Sequence, residues 1–262
     1  MLFSRFISIL CLILSFTSFS FSSPKYTENV DFNSILVNWN SLLKEYVHKG
    51  TVSGIKTTLV DYKKLKEDNR FESLITKLES FDIKSLDTTT DKLAFWINVY
   101  NISCIKVVLE NYPVKSIKDI GSLLSTVWNS SLIKVGNLNF SLYEIEHHIL
   151  RELKDPRIHA AIVCASLSCP DLKPYAYAPT AISKQLDKSL KDFLNNTTKG
   201  LKKDRKNKVV TISKIFKWFK KDFKRSGGVE YVIATHIKVR NSKEYKLSYL
   251  TYNWNLNDYT DD

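Results

Sequence analysis

Glycine and proline are scarce in this chain, 7 and 6 among 262 residues, which excludes collagen-like and low-complexity protein and argues against long flexible linkers. Four cysteines are too few for a disulfide-stapled scaffold. No CxxC pair and no HExxH run occurs, and two cysteines with one histidine make an incomplete zinc set, so neither a metal nor a cofactor is expected. Acidic residues are the minority, 27 Asp+Glu against 39 Lys+Arg, for a formal charge of +12. The rest is ordinary globular material: 44% hydrophobic and 25% charged residues exclude a disordered chain and suffice for one large core.

At the N-terminus Arg5 precedes an apolar stretch, Phe6 to Phe16, followed by the small polar run Ser18 to Ser23 and Pro24. That is the order of a secretory signal peptide, residues 1–23, cleaved near Ser20 to Ser23. The stretch is too short to cross a bilayer comfortably. The sequence therefore predicts an exported, extracytoplasmic protein with no transmembrane span in the mature chain and one globular domain over residues 24–262. With Cys11 removed, Cys104, Cys164 and Cys169 remain. Three is odd, so at least one thiol stays free or pairs with another chain. Export keeps a Cys164–Cys169 disulfide open as an alternative to free thiols. Asn129, Asn139 and Asn195 open glycosylation triplets, which matter only where the source glycosylates.

Apolar residues at Ile35, Leu36, Trp39, Leu42, Leu43 and Tyr46 fall on one helix stripe, and Phe71, Leu74, Ile75 and Leu78 form another. From Asp91 to Glu110 the apolar residues point all round the axis, which predicts a central, buried helix ending before Pro113. A short strand over Ser131 to Val135 turns at Gly136-Asn137, and Ser141 to Glu144 is a capping box that starts a helix running to about Leu153. Ile158 to Cys164 reads as a central strand and Ala165 to Pro174 as a loop. A helix over Ile182 to Leu194, a strand over Lys208 to Ile212, a helix over Ile215 to Phe223 and a last strand over Lys246 to Tyr252 complete the pattern. Helices and strands do not alternate regularly, so the class is α+β, a helix-rich single domain around a small mixed β-sheet.

Several of these segments carry a likeness. Phe95 to Asn101, Tyr112-Pro113, Ile145-Glu146-His147 with Leu150-Arg151, Asp155 to His159, Cys164 to Pro170, Phe216 to Phe219, and Tyr252-Asn253-Trp254 with Leu256-Asn257 together resemble the family catalogued as domain of unknown function 547, over about residues 35 to 257. The resemblance implies either a stand-alone exported protein or a module of a longer one, and no assigned reaction. Cys104 falls outside the family's motif, and Asn253 stands where the family's pattern has Asp.

Two polar residues are misplaced among apolar ones. Glu146 lies in the arc formed by Leu142, Ile145, Ile149 and Leu153, where a carboxylate must pair or stay protonated. His147 and Arg151 flank that arc. His159 sits in the apolar Ile158 to Cys164 run, either as a hydrogen-bonded core residue or as a base. Cys169 with His159 as base and Glu146 as orienting carboxylate satisfies the logic of a thiol nucleophile. Asn98 and Asn101 lie three apart on the buried helix and either line a polar pocket or hold a loop. Asn98, Asn101, His147, Arg151 and Ser168 are the candidates for contact with substrate.

Twelve Lys/Arg against Asp204 and Asp222 fall between Lys199 and Arg225, which holds nearly all the excess charge. The segment is either a weak polyanion-binding surface or a solvated face whose Ile212, Ile215, Phe216, Phe219 and Phe223 dock on the core. Nothing in it signals sequence-specific nucleic-acid recognition. Two functions follow: a thiol-dependent hydrolase or acyl-transferase acting on a small molecule or peptide, or a non-catalytic binding module with Cys164 and Cys169 bonded.

Overall fold

The computed structural model describes residues 30–121, 126–130, 132–237 and 244–260; the expected signal peptide lies outside them. Helix α1 (Phe32–Tyr46) starts at Asp31, whose carboxylate accepts the Ser34 N–H at 2.6 Å, and buries the predicted stripe from Ile35 to Tyr46. An antiparallel hairpin follows, β1 (Val47–Val52) and β2 (Ile55–Val60). Ser53 and Gly54 turn it with φ of 51° and 74°, as a two-residue hairpin requires. Helices α2 (Tyr62–Lys66) and α3 (Asn69–Glu79) lead to α4 (Thr89–Asn111).

Helix α4 is the axle of the molecule. Thr88 and Asp91 form a reciprocal capping box at its start, and sixteen of its 23 residues are buried. It is long and apolar enough to cross a membrane, yet protein covers 89% of its most apolar window, as for the central helix of a folded core. It fixes Tyr100, Asn98 and Asn101 deep inside; Tyr100 reaches the site, Asn101 holds the coil that carries its cysteines, and Asn98 holds a loop elsewhere.

After α5 (Val127–Ser130), the hairpin β3 (Leu132–Val135) and β4 (Leu138–Ser141) feeds α6 (Leu142–Glu144) through the Ser141/Glu144 capping box. The helix then widens into a π turn over Ile145–Leu150 and tightens to 3-10 over Arg151–Leu153. Such widened turns are frequent at functional sites; here the turn carries Glu146 and His147. Helix α7 (Ile182–Asn195) packs on the 3-10 turn Pro156–Ala160. The mixed sheet comes last: β5 (Leu201–Asp204) is antiparallel to β6 (Val209–Ile212), and β6 is parallel to β7 (Lys246–Tyr249). Helices α8 (Ile215–Trp218) and α9 (Gly228–Ile237) lie between β6 and β7. The class is α+β and helix-rich; among the described residues the strands form two separate hairpins and one mixed three-stranded sheet.

Two expectations fail for local reasons. Ile158 to Cys164 is no strand. Asp155 accepts the Arg157 N–H at 3.0 Å and Pro156 opens a 3-10 turn, so the chain coils, and Ala161 and Ile162 N–H return to the Ile158 carbonyl. The groups a strand would have paired go instead to Asn101, whose amide donates to Ala161 O at 3.1 Å and accepts from Val163 N at 2.9 Å. Nor is Ile215 to Phe223 one helix: α8 stops at Trp218, and a 3-10 turn at Asp222–Ser226 follows. Lys199 also departs from the solvated-lysine picture. Its side chain is buried and donates to Asp171 Oδ1 and Thr57 Oγ1, each at 2.6 Å.

The apolar interior divides into two clusters. The larger gathers around α4; the smaller joins Phe193, Val210, Ile212, Phe216 and Phe223. Cys164 packs against both, which places it at their seam.

Candidate functional site

At that seam is a cavity of about 300 Å³. Its walls are aromatic, from Tyr100, Trp128, Trp218, Phe219, Tyr252 and Trp254, and its polar groups are Glu146, His147, His159, Cys164 and Cys169. Three elements and a loop aim these groups inward: α4 brings Tyr100, the π turn brings Glu146 and His147, the 3-10 turn brings His159, and the coil after it brings both cysteines.

Glu146 is 7% exposed and Oε2 accepts the Tyr100 hydroxyl at 3.2 Å. Burial pushes its carboxyl up to about 7, with the Tyr100 hydrogen bond opposing and the Cys164 thiolate adding to the shift. Of the two ways a carboxyl survives among apolar neighbours, this is the protonated one up to neutrality. His159 is 3% exposed and stacks on Phe219 at 3.9 Å between ring centroids. Its Nε2 is 2.8 Å from Asp222 Oδ2. Burial alone would raise the Asp222 carboxyl; hydrogen bonds from His159 and Arg151 overcome it and hold the group well below the usual carboxylate range. An ionised Asp222 therefore accepts the proton on Nε2 and leaves Nδ1 a lone pair. Among the described residues that Nδ1 has no hydrogen-bond partner, and Glu146 Oε1 is 3.9 Å away. Burial keeps His159 neutral by lowering its pKa against the pull of Asp222.

The two cysteines are free thiols, as is Cys104, so the disulfide of the alternative expectation does not form here. Cys164 is half-buried and Cys169 is 4% exposed. The Cys164 N–H donates to Cys169 Sγ at 2.9 Å, while Ser166 Oγ and the Tyr252 hydroxyl are 3.1 and 3.3 Å from Cys164 Sγ. The thiols are driven apart: a hydrogen bond from Cys169, then those from Ser166 and Tyr252, lower the Cys164 pKa against burial, whereas burial and the neighbouring Cys164 raise that of Cys169. Cys104, in the core, is pushed up by burial.

Of the residues expected to meet substrate, only His147 is on the cavity wall. Asn98 clamps a loop, donating to Tyr177 O at 2.7 Å and accepting from Tyr177 N at 2.9 Å; Asn101 holds the coil described above. Ser168 Oγ accepts the Asn253 N–H at 2.9 Å. Arg151 grips Asp222 through two hydrogen bonds of 2.7 Å and reaches His147 Nδ1 at 2.6 Å. Sequence reasoning missed Asp222, counted only as a stray acid in a basic run. Its signal was position: a lone carboxylate between Phe219 and Phe223, both assigned to packing.

Residues 83–194 match the family described as Protein of unknown function, DUF547. This is the domain the resemblance named, over a shorter span. The DUF547 segment contains α4, Glu146, His159 and both cysteines; Asp222, Trp218, Phe219, Tyr252 and Trp254 lie outside it. No curated protein and no solved structure matches the chain.

Proposed function

We propose that the chain is an exported thiol-dependent acyl hydrolase or acyl-transferase whose nucleophile is Cys164, not the Cys169 favoured by the sequence. The observation that carries this reading is the unequal setting of two thiols on one cavity wall. Cys164 is the less buried and has the Ser166 and Tyr252 hydroxyls 3.1 and 3.3 Å from its Sγ, so its hydrogen bonds favour the thiolate; Cys169 is held in the thiol form by burial. A depressed thiol pKa is what makes cysteine a nucleophile near neutrality.

The thiolate attacks the acyl carbon of an ester or thioester, forming a carbon–sulfur bond as the bond to the leaving group breaks. Protonated Glu146 supplies the leaving group's proton. The carboxylate so formed takes a proton from water, whose oxygen bonds to the acyl carbon; the carbon–sulfur bond breaks, releasing the acid and restoring thiolate and Glu146 carboxyl. A carboxyl near 7 suits both halves of that cycle. His159 is fixed by Asp222, and its Nδ1, 3.9 Å from Glu146 Oε1 and beyond hydrogen-bond reach, is left as an acceptor in the cavity wall.

The test is turnover of a panel of nitrophenyl esters and aryl thioesters. Cys164→Ser should abolish it, and Cys169→Ser should slow it about tenfold with a raised apparent thiol pKa. Full activity of Cys164→Ser, or a wild-type rate no faster than buffer across the panel, would overturn the proposal.

A further inference from the structure

Beside the aromatic cavity is a second one of about 340 Å³, polar where the first is greasy, and His147 lines both. Its other charged lining residues are Arg151, Glu152, Lys154, Asp155, Lys221, Asp222 and Arg225. All three carboxylates are already matched: Asp222 by Arg151 at 2.7 Å, Glu152 by Lys154 at 2.7 Å and Asp155 by Arg157 at 2.6 Å. Lys221 and Arg225 are exposed and have no ion-pair partner among the described residues, though Arg225 acts on Glu152 from a distance. Both come from the 3-10 turn region that also supplies Asp222 to His159.

We infer that the two cavities form one bipartite site: the aromatic cavity takes the flat, mostly apolar end of a ligand, with room for one N–H or O–H donor to His159, and Lys221 with Arg225 hold an anion, carboxylate or phosphate, at the other end of the same ligand. Two observations of different kind meet here. One is the surplus of cation over carboxylate in the second cavity, which in the low-salt limit attracts anions. The other is His159 Nδ1, an unpartnered polar atom on a side chain 97% hidden from solvent, in the wall of the first. A buried acceptor left unpaired is costly, and a ligand's N–H or O–H satisfies it. His147 lines both cavities and joins them; it is kept neutral by burial and by Arg151, whose guanidinium is 2.6 Å from its Nδ1.

This inference deepens the proposed function by naming the substrate class, and it uses the Cys164 reading only to place the reacting bond. Binding tests it without turnover. Trp128, Trp218 and Trp254 line the aromatic cavity, so intrinsic fluorescence reports occupancy. Phenylbutyrate, phenylbutyl phosphate and the neutral phenylbutyramide would each be titrated into the full chain, into Lys221→Ala/Arg225→Ala, and into Cys164→Ser. Both anions should bind about tenfold tighter than the amide at low salt, an advantage that shrinks to about twofold in the double variant. Phosphate ahead of carboxylate, or the reverse, identifies the natural anion. Cys164→Ser should lose turnover but keep the preference for anion over amide, so loss of catalysis and loss of the anion site read out separately. Equal affinity for amide and anions, an advantage unchanged in the double variant, or no quenching by any probe would overturn the bipartite site.

Discussion

The carboxyl of Glu146 offers a quantitative test, because its burial has to appear in the pH dependence of stability. In the folded chain it titrates near 7, against 4.5 for a free glutamate side chain. A folded pKa above the unfolded one means that the native state binds the proton more tightly. Stability is then fully present below about pH 4.5 and is lost as pH rises toward 7. At about 1.4 kcal/mol per pH unit, that loss amounts to about 3 kcal/mol across the window and is flat above it. Glu146→Gln keeps the shape and can still accept the Tyr100 hydroxyl, but cannot ionise. Urea denaturation of both proteins at half-unit steps from pH 4 to 8 should give near-equal stabilities at pH 4.5. The variant should be more stable by about 3 kcal/mol at and above neutrality. Asp222 runs the opposite way: its folded pKa is depressed, so its contribution is lost as pH falls through the acid range. It does so in both proteins and cancels in the difference. Parallel profiles, or a variant that is the less stable at pH 8, would refute the claim that Glu146 is a desolvated, late-ionising acid.

Other predictions follow from single partners. Asn101→Ala leaves Ala161 O and Val163 N without their side-chain partner and should cost about 2–4 kcal/mol in thermal or urea unfolding; a loss below about 0.5 kcal/mol would mean that the coil does not depend on it. Lys199→Met strands Asp171 and should destabilise by about 3 kcal/mol, while Lys199→Met/Asp171→Leu should recover most of the loss. Failure of the double variant to recover would count against a buried pair. Replacing exposed Lys202, Lys206 and Lys224 together by Gln should move the melting temperature by less than about 2 °C. Weakened retention of that variant on a polyanion column would assign the basic segment a binding role; unchanged retention would assign it none.

How much of this was readable in the sequence depended on whether a signal was local. The stripe of α1, the all-round apolarity of α4 and the Ser141/Glu144 capping box are local patterns, and each element stands where its pattern put it. The hairpin β1 and β2 was hidden because β2 buries four residues in succession, from Thr57 to Val60, which erases alternation. The run from Ile158 to Cys164 misled because burial on all sides looks the same in a central strand and in a coil pinned by a distant amide; only Asn101, some sixty positions away, distinguishes them. Glu146 and His159 stood out as polar residues in apolar surroundings, and they line one cavity. Asp222, Phe219 and Tyr252 did not stand out, because their importance comes from contacts across the seam between the two clusters, which no local period encodes. Choosing between Cys164 and Cys169 likewise required knowing which sulfur faces the hydroxyls of Ser166 and Tyr252.

The account turns on Cys164 being the activated thiol at the cavity. Its direct measurement is the pH dependence of iodoacetamide alkylation on native protein, with the modified cysteine mapped by mass spectrometry. Cys164 should react first, with an apparent pKa below the about 8.5 of a free cysteine, while Cys104 and Cys169 stay protected until the chain is unfolded. Alkylation of Cys169 ahead of Cys164, or a Cys164 that titrates above that value, would contradict it.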